Sequence, residues 1–293
     1  MKKIGIYSRP LKKNSVHILR RIVSLFSQCH VDVYLFTGIL QKPESIFEPG
    51  FIPKYYSTHS DMPTDLDMVI SLGGDGTFLE TVTYVRDKEI PILGINIGRL
   101  GFLADIAVED LEKSIEMIIN RRYQTEERSL IQVESSDNVD CDFLFGLNDF
   151  TLRKSDKATL IKIHTWLDGE FINSYWADGL IVSTPTGSTA YSLSVGGPIV
   201  VPESNNFIIS PIASHNLTVR PLVVSANHKI TMKVDGDNMK HMASLDARSF
   251  FFKSKTIFTI STAPFTVKIV KLEGHSFYNT IRNKLMWGID KRN

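Results

Sequence analysis

The chain has 293 residues, of which 43% are hydrophobic and 22% are charged, and its net charge at pH 7 is +1. This length and composition are typical of a soluble two-domain protein, and the balanced charge excludes an extended basic surface for nucleic acid or for an anionic membrane. Only two cysteines, Cys29 and Cys141, are present, and no signal-peptide pattern or apolar run of about 18 residues is found. These features predict a cytoplasmic protein whose partners include neither nucleic acid nor a membrane.

The first hundred residues alternate short apolar runs with segments of helical spacing. Helical spacing occurs over 15–28 and 77–86, whereas 37–65 is rich in Pro and Ser and predicts a loop. Strand patterns occur at 4–7, 31–36, 67–72 and 91–95. Strands separated by helices predict an open parallel sheet with right-handed crossovers.

The second part of the chain consists mostly of strand patterns. Helices are predicted at 108–120 and at 276–286, and 188–193 has the pattern of the first turns of a short helix. Strand patterns cover 130–134, 142–152, 159–167, 171–176, 180–183, 207–212, 229–234, 256–260 and 266–270. We therefore predict an α/β domain at 1–106, an all-β domain of two packed sheets at 107–270, and a terminal segment at 271–293 whose helix folds back on the first domain.

A glycine-rich turn, Gly-Gly-Asp-Gly-Thr at 73–77, joins a predicted buried strand to a predicted helix. Glycines let the backbone approach a ligand closely, and the free N–H groups and positive dipole end of the helix favour a phosphate. A carboxylate in such a cradle is either a metal ligand or a base that takes a proton from an attacking hydroxyl. Asp75 is therefore the leading catalytic candidate. The alternative is a tight turn in which Asp75 only caps the helix.

A second glycine-rich loop, 94–101, begins at the end of the next predicted strand. Ligands in open α/β sheets bind at the carboxyl ends of the strands, so this loop is expected near the first one. Its Arg99 either approaches phosphate or is solvated, and a crossover loop without a ligand is the alternative. Neither loop is a Walker A motif, because the chain contains no Gly-Lys pair.

The segment 178–198 is dense in hydroxyl groups. Its turn at 184–188 offers hydroxyls and N–H groups to the polar edge of a base or a carboxamide, and Tyr191 offers a ring for stacking. The alternative is an ordinary turn in which Ser188 caps a short helix.

Two short motifs have simple structural interpretations when each is taken alone. Asn148-Asp149 is typical of a turn at the end of a strand. Asp235-Gly236 is typical of a hairpin turn.

The combination of these motifs resembles the NAD kinase family. The turn at 73–77 is shared by a kinase superfamily that includes NAD kinases, diacylglycerol and sphingosine kinases, and 6-phosphofructokinases. The segments that narrow the resemblance to NAD kinases are 98–103, 148–149, 178–198, 211–223, 235–236 and 272–288. The resemblance runs from residue 4 to residue 290 and so covers nearly the whole chain.

The resemblance implies an enzyme that transfers the γ-phosphate of ATP to the adenosine-ribose 2′-hydroxyl of NAD, with Asp75 as general base. It implies that Asn148 contacts the adenine, Asp149 a ribose hydroxyl and Asp178 the nicotinamide carboxamide. The nucleotide-binding set that it implies is Gly74, Asp75, Gly76, Phe102, Asn148, Asp149, Asp178, Thr186, Thr189, Ala190, Tyr191 and Ser194.

The resemblance also implies cofactors and partners. Mg²⁺ or another divalent cation accompanies ATP, no metal ligand is identified in the chain, and NAD is a substrate. Polyphosphate as an alternative donor is left open. Since family members form dimers and tetramers, we expect a homodimer or homotetramer.

Two other functions fit part of the pattern. A lipid kinase of the diacylglycerol or sphingosine type shares the turn at 73–77 and predicts an apolar entrance in the β domain, but it gives Asn148-Asp149 no role. A non-catalytic NAD(P)-binding regulator would be favoured by the loss of Asp75, which is present.

Overall fold

The computed structural model describes residues 1–40, 47, 51–98, 101–155, 160–236 and 239–287. These residues form two compact units. The first comprises Met1–Glu127 and Val267–Asn293, and the second comprises Arg128–Thr266. Of the predicted features, Arg99 and the end of the tail segment lie outside the described residues.

The first unit alternates strands and helices as predicted. Its helices in the N-terminal part are α1 (Val16–Gln28), α2 (Asp75–Val85) and α3 (Leu111–Ile119). Its strands are β1 (Lys3–Tyr7), β2 (Asp32–Phe36), β3 (Lys54–Tyr56), β4 (Met68–Leu72), β5 (Ile92–Asn96) and β6 (Ile106–Ala107). β3 lies inside the region predicted as loop, where its three residues are too few to give a strand pattern.

The central strands are parallel and follow the order β3–β2–β1–β4–β5. The open parallel sheet is therefore confirmed. Helix α1 buries Leu19, Ile22 and Phe26 in the core that the strands share. The strand order reverses direction between β1 and β4, and open α/β sheets bind ligands outside the carboxyl ends of the strands at such a switch point.

The second unit is built almost entirely from strands. β7 (Tyr123–Ser135) enters it from the first unit, and β18 (Ile257–Leu272) leads back. The strands between them are β8 (Phe145–Gly146), β9 (Asp149–Arg153), β10 (Ile161–Leu167), β11 (Glu170–Ala177), β12 (Gly179–Ser183), β13 (Asn206–Ile212), β14 (Leu222–Ser225), β15 (Ile230–Val234), β16 (Lys240–Leu245) and β17 (Arg248–Lys253). A single helical turn, α4 (Tyr191–Ser194), follows β12.

These strands form two antiparallel layers, as predicted. One has the order β11–β10–β15–β18 and the other the order β14–β13–β12–β9–β16–β17. Met232 and Phe258 from the first layer lie in one core with Leu152, Val182 and Phe250 from the second. Burying one face of each sheet against the other is what stabilises such a unit.

Several strand predictions for the second unit were incomplete. β14 and β16 were not predicted, and the patterns at 256–260 and 266–270 belong to the single strand β18. Asp235-Gly236 is not a hairpin turn, because β15 and β16 on either side of it lie in different sheets.

The limits of the units differ from the predicted segments for packing reasons. The first unit extends past residue 106 because α3 buries Leu111, Ile115 and Ile118 in its core. It resumes at Val267 because the last part of β18 pairs in parallel with β5, with Ile269 opposite Ile92.

The terminal helix α5 (Phe277–Leu285) belongs to the first unit, as predicted. It begins after Ser276, whose hydroxyl accepts a hydrogen bond from the Asn279 N–H at 3.2 Å. Its Lys284 ammonium lies 4.7 Å from the centre of the Phe102 ring, so α5 packs back on the second glycine loop. No helix in the described ranges is long and apolar enough to cross a membrane.

Candidate active site

Asp75 is held by the three residues that follow the second glycine loop. Its Oδ2 accepts a hydrogen bond from the Phe102 N–H at 2.8 Å. Its Oδ1 accepts from the N–H groups of Leu103 and Ala104, both at 3.0 Å. The two glycine loops are brought together because β4 and β5, which they follow, are parallel neighbours. Asp75 is the first residue of α2, so the helix begins two positions earlier than predicted and Gly74 is its N-cap.

Gly101 makes this contact possible. A Cβ at Gly101 would lie 1.8 Å from Asp75 Oδ1, far inside van der Waals distance. Only a residue without a side chain therefore lets the loop close over the carboxylate. The loop is also tied at its base by Asn96, whose Oδ1 accepts from the Gly98 N–H at 2.7 Å and whose amide donates to the Ala104 carbonyl at 3.3 Å.

A buried ion pair follows the loop directly. Lys271 Nζ lies 2.5 Å from Asp105 Oδ2, and both side chains are less than a tenth exposed. Burial alone would raise the pKa of Asp105, but the nearby His275 imidazole, 3.9 Å away, and the charge of Lys271 hold it below its usual range. Sequence reasoning missed this pair, because its members are brought together only by the pairing of β18 with β5.

Arg9 places a cation beside the turn at 73–77. Its Nε and Nη2 donate to the Glu80 carboxylate on α2, at distances of 2.5 to 2.9 Å. A Cβ at Gly76 would lie 3.7 Å from Arg9 Nη2, so the guanidinium lies next to the Gly76 backbone. Arg9 follows β1 at the switch point of the sheet, and that position was the sequence signal that could have identified it.

In the second unit, Asn148 lies in the turn between β8 and β9, and Asp149 is the first residue of β9. Both are less than a tenth exposed. Asn148 Oδ1 is buried and has no hydrogen-bond partner among the described residues. A buried acceptor without a partner is costly unless a ligand donates to it.

The Asp149 carboxyl group has a raised pKa. Its carboxylate accepts a hydrogen bond from the Thr151 hydroxyl at 3.0 Å. Burial and then the nearby charge of Asp246 raise the pKa of Asp149 to about 7. Asp149 therefore changes charge near neutral pH.

The hydroxyl-rich segment packs against this turn. Thr184 Oγ1 donates to the Leu147 carbonyl at 2.6 Å, and the Thr184 N–H donates to the Asn148 carbonyl at 2.8 Å. Gly187 allows the close approach, since a Cβ there would lie 2.1 Å from the Asn148 carbonyl oxygen. The remaining predicted residues of this segment are partly or fully exposed to solvent: Thr186, Thr189, Ala190, Tyr191 and Ser194.

Ser188 does not cap a helix. Its hydroxyl accepts from the Val200 N–H at 3.0 Å and donates to the Val200 carbonyl at 3.2 Å, which ties the loop after α4 to the turn. Helix α4 begins after Ala190 and has no side-chain cap.

Asp178 lies apart from the other predicted residues of the second unit. It precedes β12, whereas Thr184 follows it. Asp149 pairs with Ser183 at the far end of β12, so Asp178 lies roughly 15 Å from it along the strand. Its carboxylate pairs with Lys154 Nζ at 2.7 Å.

The fold defines an open α/β protein whose glycine turn lies at the switch point of a parallel sheet, the place where such proteins bind ligands. Comparison with known proteins identifies the family. The model of the ATP-NAD kinase N-terminal domain matches residues 4–123, and that of the ATP-NAD kinase C-terminal domain matches residues 147–272. The chain belongs to the NAD kinase family.

Individual relatives agree with this assignment. The chain is 41% identical over 296 aligned positions to the NAD kinase of Flavobacterium psychrophilum, covering 99% of this chain and 100% of the relative. It is 46% identical to the NAD kinase of Bacteroides fragilis over 78% of this chain and 79% of the relative.

Two solved structures share the fold. Yeast NADH kinase complexed with NADH superposes with a TM-score of 0.83 at 22% identity, over 99% of this chain and 89% of that one. An NAD kinase from Archaeoglobus fulgidus in complex with ATP superposes with a TM-score of 0.75 at 24% identity, over 97% of this chain and 98% of that one. The lipid kinase and the non-catalytic regulator are not favoured by any of these matches.

Proposed function

We propose that this chain transfers the γ-phosphate of ATP to the adenosine-ribose 2′-hydroxyl of NAD and that Asp75 accepts the hydroxyl proton. The observation that carries the proposal is the position of the Asp75 carboxylate at the start of α2. Three backbone N–H groups, those of residues 102–104, fix it there by hydrogen bonds. The 2′-oxygen forms the new bond to the γ-phosphorus while the bond from that phosphorus to the ADP oxygen breaks. The hydroxyl proton passes to Asp75, and ADP leaves.

The hydrogen bonds that Asp75 already accepts leave one lone-pair site of its carboxylate free for a further donor. A carboxylate has about four lone-pair sites on its two oxygens. Oδ1 accepts two N–H groups and Oδ2 accepts one. The remaining site on Oδ2 is therefore the one that receives the substrate hydroxyl, and its direction is set by the loop. Positioning of this kind supplies much of the rate in phosphoryl transfer.

The phosphates of ATP are bound by the N-terminus of α2 and by Arg9. The free N–H groups and the dipole of α2 favour anions at the turn that contains Gly74 and Gly76, and the guanidinium lies beside it. A divalent cation such as Mg²⁺ enters with ATP and offsets phosphate charge. Among the described residues no group of three His, Cys, Asp or Glu side chains is placed to hold a metal.

Most of the residues that we assign to NAD belong to the second unit. Asn148 Oδ1 accepts from the adenine amino group, and Asp149 accepts from a ribose hydroxyl. A site whose buried polar groups need partners discriminates strongly against a ligand that lacks them. We assign Phe102, Thr186, Thr189 and Ala190 to the adenine side, and Asp178, Tyr191 and Ser194 to the nicotinamide side.

Three further properties belong to the same proposal. The protein is cytoplasmic, which agrees with the free thiols of Cys29 and Cys141. It forms a homodimer or homotetramer. Polyphosphate is an alternative donor to be tested beside ATP.

The proposed activity is tested with the purified protein, NAD, Mg²⁺ and either ATP or polyphosphate. We expect NADP to form with ATP, measured by a coupled dehydrogenase that uses only NADP. Complete absence of NADP, with an active coupling enzyme and added NADP as the positive control, would contradict the proposal.

The acidity of Asp149 predicts a pH dependence. Since its pKa is raised to about 7, about one tenth of the chains have an ionised Asp149 at pH 6 and about nine tenths at pH 8. We expect kcat/KM for NAD to rise by about tenfold between these values, because the ionised carboxylate is the better acceptor for a ribose hydroxyl. In Asp149→Asn this rise should disappear, and a rise of unchanged size in that variant would assign the titration to another group.

Arg9 predicts an effect on the donor substrate. Arg9→Ala should raise the KM for ATP by about fivefold and leave the KM for NAD nearly unchanged, because a half-exposed cation contributes modestly to phosphate binding. Arg122→Ala is the matched control, since Arg122 is equally exposed and pairs with Glu273 in the same unit. Equal effects of the two substitutions on the KM for ATP would remove Arg9 from the site.

A further inference from the structure

Asp246 holds the turn that carries Asn148 and Asp149. Its Oδ2 accepts from the Leu147 N–H at 2.8 Å, and its Oδ1 accepts from the N–H groups of Asn148 at 2.8 Å and Asp149 at 3.2 Å. In return the Asp246 N–H donates to the Asp149 carbonyl at 3.0 Å. Three consecutive N–H groups of the turn thus bind one carboxylate that is about a hundred residues away in the sequence.

The backbone around Asp246 is shaped for this contact. Asp246 has a left-handed backbone with φ of 53°, a conformation that Asp and Asn adopt more readily than most residues. It lies in the tight connection between the paired strands β16 and β17. Gly146 lies close to its carboxylate, since a Cβ at Gly146 would be 3.0 Å from Asp246 Oδ1.

Asp246 and Asp149 also interact through their charges. Burial raises the pKa of Asp246 as well, but its oxygens accept three N–H groups, whereas those of Asp149 accept one hydroxyl, so the first proton goes to Asp149. The other charge that acts on the pair is the Arg248 guanidinium, which favours the ionised form of Asp246 and donates to the Phe143 and Phe145 carbonyls. Asp246 is therefore the ionised member of the pair.

We propose that Asp246 is a positioning residue for NAD: its carboxylate fixes the shape of the turn that presents Asn148 and Asp149. In a second role, the charge of Asp246 adds to burial in raising the pKa of Asp149. This inference rests on the proposed assignment of Asn148 and Asp149 to NAD. Asp246 itself touches the backbone of the turn and acts on the substrate only through it.

The test uses Asp246→Asn in the full-length chain. The Asn side chain retains at most two of the three acceptor contacts and brings an NH₂ group against an N–H donor, so the turn loosens. We expect the calorimetric Kd and the KM for NAD to rise by about tenfold, while the KM for ATP changes by less than about twofold. The loss of charge should also move the rise in kcat/KM for NAD to lower pH.

Gly146→Ala separates the two roles of Asp246 and is a milder change should the first variant fail to fold. Its added methyl displaces the carboxylate but keeps its charge. We expect a smaller rise in the KM for NAD, with the pH profile in place. Asp168→Asn is the matched control, because Asp168 also has a left-handed backbone, with φ of 50°, and accepts from the Lys229 N–H on the exposed surface. It should behave as the unsubstituted chain.

The inference is wrong if Asp246→Asn binds NAD with unchanged affinity and an unchanged pH profile, or if the KM values for NAD and ATP rise together. It is also wrong if Asp168→Asn weakens NAD binding equally. Calorimetry measures NAD binding without catalysis, so failure of this inference can be distinguished from failure of the proposed activity. A chain that binds NAD but makes no NADP would fail the proposed activity, while its Asp246→Asn variant would still decide the positioning role.

Discussion

Asp75→Asn is expected to lower kcat by about 10²- to 10⁴-fold, the usual loss when a positioned base is removed, while NAD still binds. The Asn oxygen can still accept from Leu103 and Ala104, but its NH₂ group replaces Oδ2, which accepts from the Phe102 N–H. The variant thus loses the free acceptor site for the 2′-hydroxyl. Turnover is measured by the coupled assay and NAD binding by calorimetry.

A matched control for this substitution lies in the same unit. Asp61 also accepts backbone N–H groups, from Ser57 at 3.0 Å and Thr58 at 2.7 Å, but it is a surface residue away from the glycine loops. Asp61→Asn should leave kcat nearly unchanged. If Asp75→Asn turned over at the rate of the unsubstituted chain, Asp75 would not be the proton acceptor.

Gly101→Ala is expected to cost nearly as much turnover as the loss of Asp75 itself. The new methyl would lie 1.8 Å from Asp75 Oδ1, so either the carboxylate or the loop must move. Because the proposed proton acceptor depends on that contact for its direction, we expect a loss of at least about 10²-fold in kcat with little change in Tm.

Gly98→Ala is the control for a methyl added to the same loop. Among the described residues that Gly98 does not adjoin in sequence, a Cβ at Gly98 would lie nearest to Asn96 Oδ1, at 3.8 Å, which is an ordinary contact. The double variant Gly101→Ala with Asp75→Asn should be no slower than Asp75→Asn alone, because residues that act as a unit are not additive. Equal losses in Gly98→Ala and Gly101→Ala, or multiplied losses in the double variant, would contradict this explanation.

The sequence predicted the sheet of the first unit well, because β1, β4 and β5 are mostly apolar runs and glycine-rich loops follow β4 and β5. It missed β16, in which His241 and polar residues interrupt the apolar pattern, although His241 is buried. It missed β14 at the edge of its sheet, where Leu222 and Val223 are exposed and only four residues pair. Patterns fail where a strand is short or buries polar side chains.

The sequence identified the candidate site residues that lie in local motifs, but not the contacts that those residues make. The partners of Asp75 and Asp246 are backbone N–H groups, which leave no mark on residue type. Asp178 lies close in sequence to the turn at 184–188 but is separated from it in space by the length of β12. Such distances become visible only when the register of the strands is known.

The central claim is that the 2′-hydroxyl of the adenosine ribose of NAD accepts the γ-phosphate of ATP. It is tested most directly by offering the purified protein NAD and 2′-deoxy-NAD side by side with ATP and Mg²⁺, and by identifying the products by ³¹P NMR. We predict a single 2′-phosphomonoester from NAD and no phosphorylated product from 2′-deoxy-NAD. A phosphomonoester formed on 2′-deoxy-NAD, or on another hydroxyl of NAD, would contradict the proposed reaction.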